Sequence, residues 1–200
     1  MNERLERMGE LAQSSVLLSL EELHKGKRLA EKVIQLAADL RKLEEEVSDL
    51  VLDILARFQP VASDLRYTKS ALEISYGYYR LGRYALDITQ AIENFGDQTA
   101  CDHSRVDGMA KITIVMIEGS TQAFLNLDDA LAKRVAAMDD QVDNLYREAM
   151  NSLSALTGAE PKCLLSEALV LKYLERIADH TSLIADSVFY IVHGKHITSN

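Results

Sequence analysis

Lys172-Tyr173-Leu174-Glu175-Arg176-Ile177-Ala178-Asp179-His180 has an altered counterpart about a hundred residues earlier, Tyr78-Tyr79-Arg80-Leu81-Gly82-Arg83-Tyr84. Arg80 aligns with Arg176 and Leu81 with Ile177, whereas Tyr79 takes the place of Glu175 and Arg83 that of Asp179. A second match, Leu29-Ala30-Glu31-Lys32-Val33 with Leu131-Ala132-Lys133-Arg134-Val135, has a similar separation. Two matches in the same order indicate an internal duplication, one structural unit used twice.

Apolar residues recur at three- and four-residue spacing along nearly the whole chain, and no segment sustains the alternation of a strand. Prolines stand only at positions 60 and 161, and nine glycines are spread over 200 residues, which suits long helices. Six are predicted, at about 3–24, 28–57, from Pro60 to 95, 106–125, 128–156 and from Pro161 to 192. Gly26 is a candidate left-handed cap after the first, and Asp128-Asp129 suit the start of the fifth. The turn Thr157-Gly158-Ala159-Glu160-Pro161 separates the last two. Gly96-Asp97-Gln98 and the polar run to Ser104 form the one boundary between units, giving domains 1–96 and 104–195. Short connections make successive helices antiparallel. The expected fold is all-α: two tandem, pseudo-symmetric antiparallel three-helix bundles sharing an elongated core.

A net charge of −9 argues against nucleic acid or anionic lipid as a partner, since both need a basic surface. No apolar run reaches transmembrane length, and Met1-Asn2-Glu3-Arg4-Leu5-Glu6-Arg7 lacks the apolar core of a signal peptide. Cys101 and Cys163 are too few for a disulfide framework or a thiolate metal site. A cytoplasmic location is the default expectation.

Residues four apart on a helix share a face, with Cβ atoms about 5–6 Å apart. Glu175 and Asp179 form such a pair on the sixth helix, and Asp139 and Asp143 form another on the fifth. If the two antiparallel helices turn these faces toward each other, four carboxylates converge. They would repel one another unless protonated or bridged by cations. An all-oxygen donor set favours hard ions such as iron, manganese, magnesium or calcium. Acidic pairs also decorate many solvated faces, so spacing alone does not separate the two readings. The duplication does add weight, because the matching positions in the first unit are Ala37, Arg41, Tyr79 and Arg83. All four acids are absent there together, as expected if one whole site had been lost. Arg41 and Arg83 each have an acid four residues on, Glu45 and Asp87, which would neutralise them locally. Binding of an anion between them is the alternative.

Phe58-Gln59-Pro60-Val61-Ala62-Ser63-Asp64-Leu65-Arg66, Leu174-Glu175-Arg176-Ile177-Ala178-Asp179-His180 and the Asp139-to-Asp143 spacing together resemble the PhoU family of phosphate-uptake regulators. The resemblance implies tandem three-helix bundles whose paired acidic motifs hold a multinuclear metal cluster. Iron is foremost, with manganese, magnesium, zinc or nickel as alternatives. Carried over residue by residue, the metal role falls on Asp139, Asp143, Glu175 and Asp179 only. Leu183 stands where the family signature usually has asparagine, which bears on the size of the cluster. The resemblance further implies a non-enzymatic regulator touching the ATPase of a phosphate ABC transporter and a sensor kinase, with a homodimer left open. Two other readings compete. A carboxylate-bridged di-metal enzyme would need Glu-x-x-His pairs, and the only one here, Glu21 with His24, ends the first helix. A metal-free structural adaptor needs no site at all.

Overall fold

The computed structural model describes residues 1–25, 29–158 and 160–197, and these contain seven α-helical segments and no strand. The segments are α1 (Asn2–Lys25), α2 (Ala30–Phe58), α3 (Ala62–Phe95), α4 (Ser104–Asn126), α5 (Asp129–Ala137), α6 (Asp139–Ala155) and α7 (Pro161–His193). The expected cap at Gly26, the start of the second helix at residue 28, and Ala159 in the later turn lie outside the described residues.

The local chemistry explains most boundaries. Asp128 caps α5, its carboxylate accepting from the Leu131 amide at 2.9 Å. Pro161 sits in the first turn of α7, where its missing N–H costs nothing. Gly194 ends α7 in the left-handed region, φ 69°, donating its N–H to the Tyr190 carbonyl at 2.8 Å.

The helix expected over 128–156 is interrupted at Met138. Its amide bonds to Val135 O at 3.1 Å and its carbonyl accepts from Gln141 N at 3.0 Å, so the ladder tightens locally to three-residue spacing. Met138 keeps helical dihedrals, φ −73° and ψ −17°, which is why periodicity did not betray the break. Its consequence is positional: Asp139 and Asp140 become the first turn of a new helix, where backbone N–H groups favour negative charge.

α1, α2 and α3 pack on one another, and α7 packs on α4, α5 and α6. The long helices α3 and α7 join the two sets along one continuous apolar core, with Leu5, Ile74, Leu81, Ile117, Leu171 and Leu174 inaccessible to solvent. Close approach needs small residues: a Cβ at Gly77 of α3 would lie 2.5 Å from Ile184 Cγ1 of α7. Tyr78, also fully buried, shares a hydrogen bond with Thr121 Oγ1 at 2.9 Å. Burial drives its phenol pKa up to about 12.

Two links tie the segment between the helix sets and the start of α4 to α7. Cys101 and Cys163, set aside as too few for a disulfide framework, form a single bridge with Cα atoms 5.7 Å apart. Four residues further along each of these two segments, Arg105 grips the buried Glu167 with two 2.7 Å bonds.

Candidate metal centre

The acids of the two motifs meet on the flank where α6 lies along α7. One carboxylate oxygen from each of Asp143, Glu175 and Asp179 falls within 4.8 Å of the others. Asp139, one turn before Asp143, borders this group without joining it at that distance. Its environment still places it in the same field. Burial, followed by the charges of Asp179, Asp143, Asp140 and Glu175, raises the Asp139 pKa to about 6. Its Oδ1 is buried and has no hydrogen-bond partner. Asp179 is also shifted upward, by burial first and then by Glu175, against the opposing pull of Arg176 and Lys172.

Two cations from α7 itself answer part of this charge. Lys172 Nζ donates to Glu175 Oε2 at 2.7 Å and lies 5.1 Å above the ring centre of Tyr146. Arg176 reaches Asp179 Oδ2 at 3.2 Å and Glu175 Oε2 at 3.6 Å. Neither residue was singled out from the sequence, although Lys172-x-x-Glu175 and Arg176-x-x-Asp179 both have spacing suited to a helical ion pair. Neither reaches the buried Oδ1 of Asp139, which remains an acceptor in need of a donor or a cation. With only hard oxygen donors and one orphaned among them, the residues fit a hard cation.

His180, next to Asp179, faces the other way. It packs between Tyr76 and Tyr84 of α3, ring centres 6.2 and 5.7 Å away, and burial depresses its pKa. The corresponding positions of the first helix set carry no acids. Arg41 bonds Glu45 at 3.1 Å and Arg83 bonds Asp87 at 3.0 Å, the local neutralisation anticipated from their spacing. Arg80, which aligns with Arg176, instead lies 4.8 Å from the centre of the Tyr84 ring and donates to its hydroxyl.

Comparison with known proteins gives a consistent picture. The PhoU domain profile matches residues 5–92 and 106–188. The chain is 30% identical over 206 residues to a phosphate-specific transport system accessory protein PhoU homolog of Clostridium acetobutylicum, covering 100% of this chain and 94% of that protein. A homolog of the same description from Synechocystis is 30% identical over 196 residues, covering 94% and 86%. Among solved structures, the phosphate transport system regulatory protein PhoU from Streptococcus pneumoniae superimposes with a TM-score of 0.89 at 21% identity, covering 98% of this chain and 94% of that one. PhoU from Pseudomonas aeruginosa gives 0.81 at 27% identity, covering 96% and 95%.

Proposed function

This chain belongs to the PhoU family, and we propose that it regulates phosphate transport by contacting other proteins, in a form whose α6 and α7 are clamped by a hard cation. The carrying observation is the convergence of Asp143, Glu175 and Asp179 beside the partnerless Oδ1 of Asp139. Its similarity to accessory proteins of the phosphate-specific transport system supports the regulatory reading. Transporter and signalling components at the cytoplasmic membrane face are the partners this reading expects. Among the described residues no helix is long and apolar enough to cross a membrane, so contact with a transporter would come from outside the bilayer. The division into units over 1–96 and 104–195 belongs to the same reading, with the site in the second unit alone.

A bound cation would neutralise the facing acids and pin α6 to α7. This chain's own residues would supply the rest: Asp139, Asp143, Glu175 and Asp179 as ligands, Lys172 and Arg176 as the groups that trim the excess negative charge. With the first unit lacking every matching acid, the clamp would be one-sided. Elemental analysis of freshly purified and of metal-reconstituted protein tests the site, with Asp139→Asn/Asp179→Asn as control. Stoichiometric metal lost in the double variant is the expected result. Protein that stays metal-free after reconstitution with iron, manganese or magnesium overturns it. The regulatory role is tested separately, by whether the chain restores control of phosphate uptake in a bacterium deleted for its own PhoU relative.

A further inference from the structure

The disulfide joins Cys101, between α3 and α4, to Cys163 in the first turn of α7. Both cysteines are partly exposed. Small scaffolds that depend on disulfides use several of them in place of a core they cannot build. This chain has one bridge and a continuous apolar core that includes α3 and α7. The bridge therefore adds to a fold that already has its own support.

Its position gives it a second role. The hydrogen bonds of residues 97–103 stay local. Asp97 accepts from the amide and hydroxyl of Thr99, at 2.9 and 2.8 Å. The Gln98 carbonyl accepts from the Cys101 amide at 2.8 Å and contacts His103 Nε2 at 3.0 Å. Asp102 accepts from the Ser104 amide at 2.9 Å and from its hydroxyl at 3.1 Å. Among the described residues no hydrogen bond crosses from residues 97–103 to α7. The one bond that fastens them together is the disulfide.

The two sulfurs differ as leaving groups. Once released, Cys163 lies in the first turn of a 33-residue helix, where the backbone dipoles stabilise a thiolate. Cys101 is followed by Asp102, whose pKa is lowered by the Ser104 amide and then by its hydroxyl, so a carboxylate charge stands beside any thiolate formed there. Thiol–disulfide exchange is faster when the departing sulfur is the better stabilised of the two.

We propose that Cys101 and Cys163 form a thiol-exchange site, a latch between residues 97–103 and α7 that a small thiol opens. The incoming thiolate attacks Cys101 Sγ. A sulfur–sulfur bond forms there as the Cys101–Cys163 bond breaks, and Cys163 leaves with the bonding pair as a thiolate. A second small thiol, as its thiolate, attacks the first at its sulfur. Cys101 is released and takes up a proton, and the small thiol departs as its own disulfide. The protein bridge gains two electrons, supplied by two small thiols that are oxidised. Residues 97–103 then lose their tie to α7, while Arg105 still holds Glu167. The acids on α6 and α7 take no part.

Glutathione is the probe, used on the full chain after oxidised glutathione has formed the bridge. Reduced glutathione is added at pH 7.5, the freed thiols are capped with N-ethylmaleimide, and adducts are mapped by mass spectrometry. Hydrogen exchange follows the backbone in parallel. The mixed disulfide is expected on Cys101, and the amides of residues 97–104 should exchange at least about tenfold faster in the reduced protein. Return to oxidised glutathione should restore the slow rate. Cys101→Ser/Cys163→Ser should exchange at the fast rate in both buffers with native far-ultraviolet circular dichroism, which separates opening of the latch from unfolding. Thiols that fail to bridge in oxidised glutathione overturn the proposal. So does a bridge that reduced glutathione does not open in the folded protein, an adduct on Cys163 in place of Cys101, or equal exchange of residues 97–104 in the two forms.

Discussion

Lys172 donates a 2.7 Å hydrogen bond to Glu175 Oε2, on a carboxylate that also belongs to the three-oxygen acidic group. An ammonium in that position competes with an incoming cation for the same lone pairs and repels it electrostatically. Lys172→Gln should therefore raise affinity for a divalent ion such as Mn²⁺ by several-fold, corresponding to about 1 kcal/mol for a partly buried pair. Titration against a fluorescent chelator measures the change. Unchanged or weaker affinity in Lys172→Gln would show that the lysine does not oppose the ion.

Asp139 gives the metal-free protein an unusual pH dependence. Its folded pKa, about 6, stands above the ordinary carboxylate value, so the folded state holds a proton that the unfolded chain releases. The stability tied to that proton is fully present below about pH 4 and is lost as pH rises through about 6. A shift of this size corresponds to at most ~3 kcal/mol, and solvent access to the flank reduces it to about 1–2 kcal/mol. The comparison that isolates it is the difference in Tm between wild type and Asp139→Asn at pH 4.5 and 7.5, in chelator. Wild type should lose ground to the variant at the higher pH. A difference that stays constant across this range would contradict the burial of the carboxyl, and excess divalent ion should abolish the slope.

The helical architecture was legible because its signals are local. Periodic apolar residues, Pro161, the capping Asp128 and Gly194 act within a few positions of themselves, and the boundaries they imply lie close to those observed. The break at Met138 was not legible, since no glycine or proline marks it and its dihedrals stay helical. At the candidate site, shared helix faces could be inferred for Glu175 with Asp179 and for Asp139 with Asp143. The partnerless Oδ1 of Asp139 and the opposing reach of Lys172 and Arg176 depend on how deeply α6 beds against α7, and spacing carries no record of depth. The pairing of Cys101 with Cys163 was hidden for a similar reason: two cysteines 62 residues apart specify a bridge only after α7 returns beside the start of α4.

That bridge should contribute measurably to stability. Closing a loop over 62 residues restricts the unfolded chain by about 4 kcal/mol in the chain-entropy account. Cys101→Ser/Cys163→Ser, or reduction with dithiothreitol, should lower the urea midpoint while far-ultraviolet circular dichroism stays native. The fold should persist because Arg105 still grips Glu167 one turn away. No change in midpoint on reduction would mean that the two thiols are not bonded in the purified protein.

Gly77 lets α3 lie close against Ile184 of α7, and it offers the sharpest test of the junction between the two helix sets. A methyl group added there would lie 2.5 Å from Ile184 Cγ1 and 2.9 Å from its Cδ1, well inside van der Waals contact. Alanine is otherwise the better helix former, by about 1 kcal/mol over glycine, so propensity and packing pull in opposite directions. Ile184 is 1% exposed and has little room to move. Overpacking in such a site costs about 1–3 kcal/mol, so Gly77→Ala should be net destabilising in urea unfolding. Ile184→Ala alone leaves a cavity and is also expected to destabilise, by about 2–5 kcal/mol. In Gly77→Ala/Ile184→Ala the new methyl enters the space that isoleucine vacates, so the double variant should be more stable than the sum of the single losses predicts, by at least ~1 kcal/mol of coupling. Strict additivity would mean that α3 and α7 do not meet at this pair.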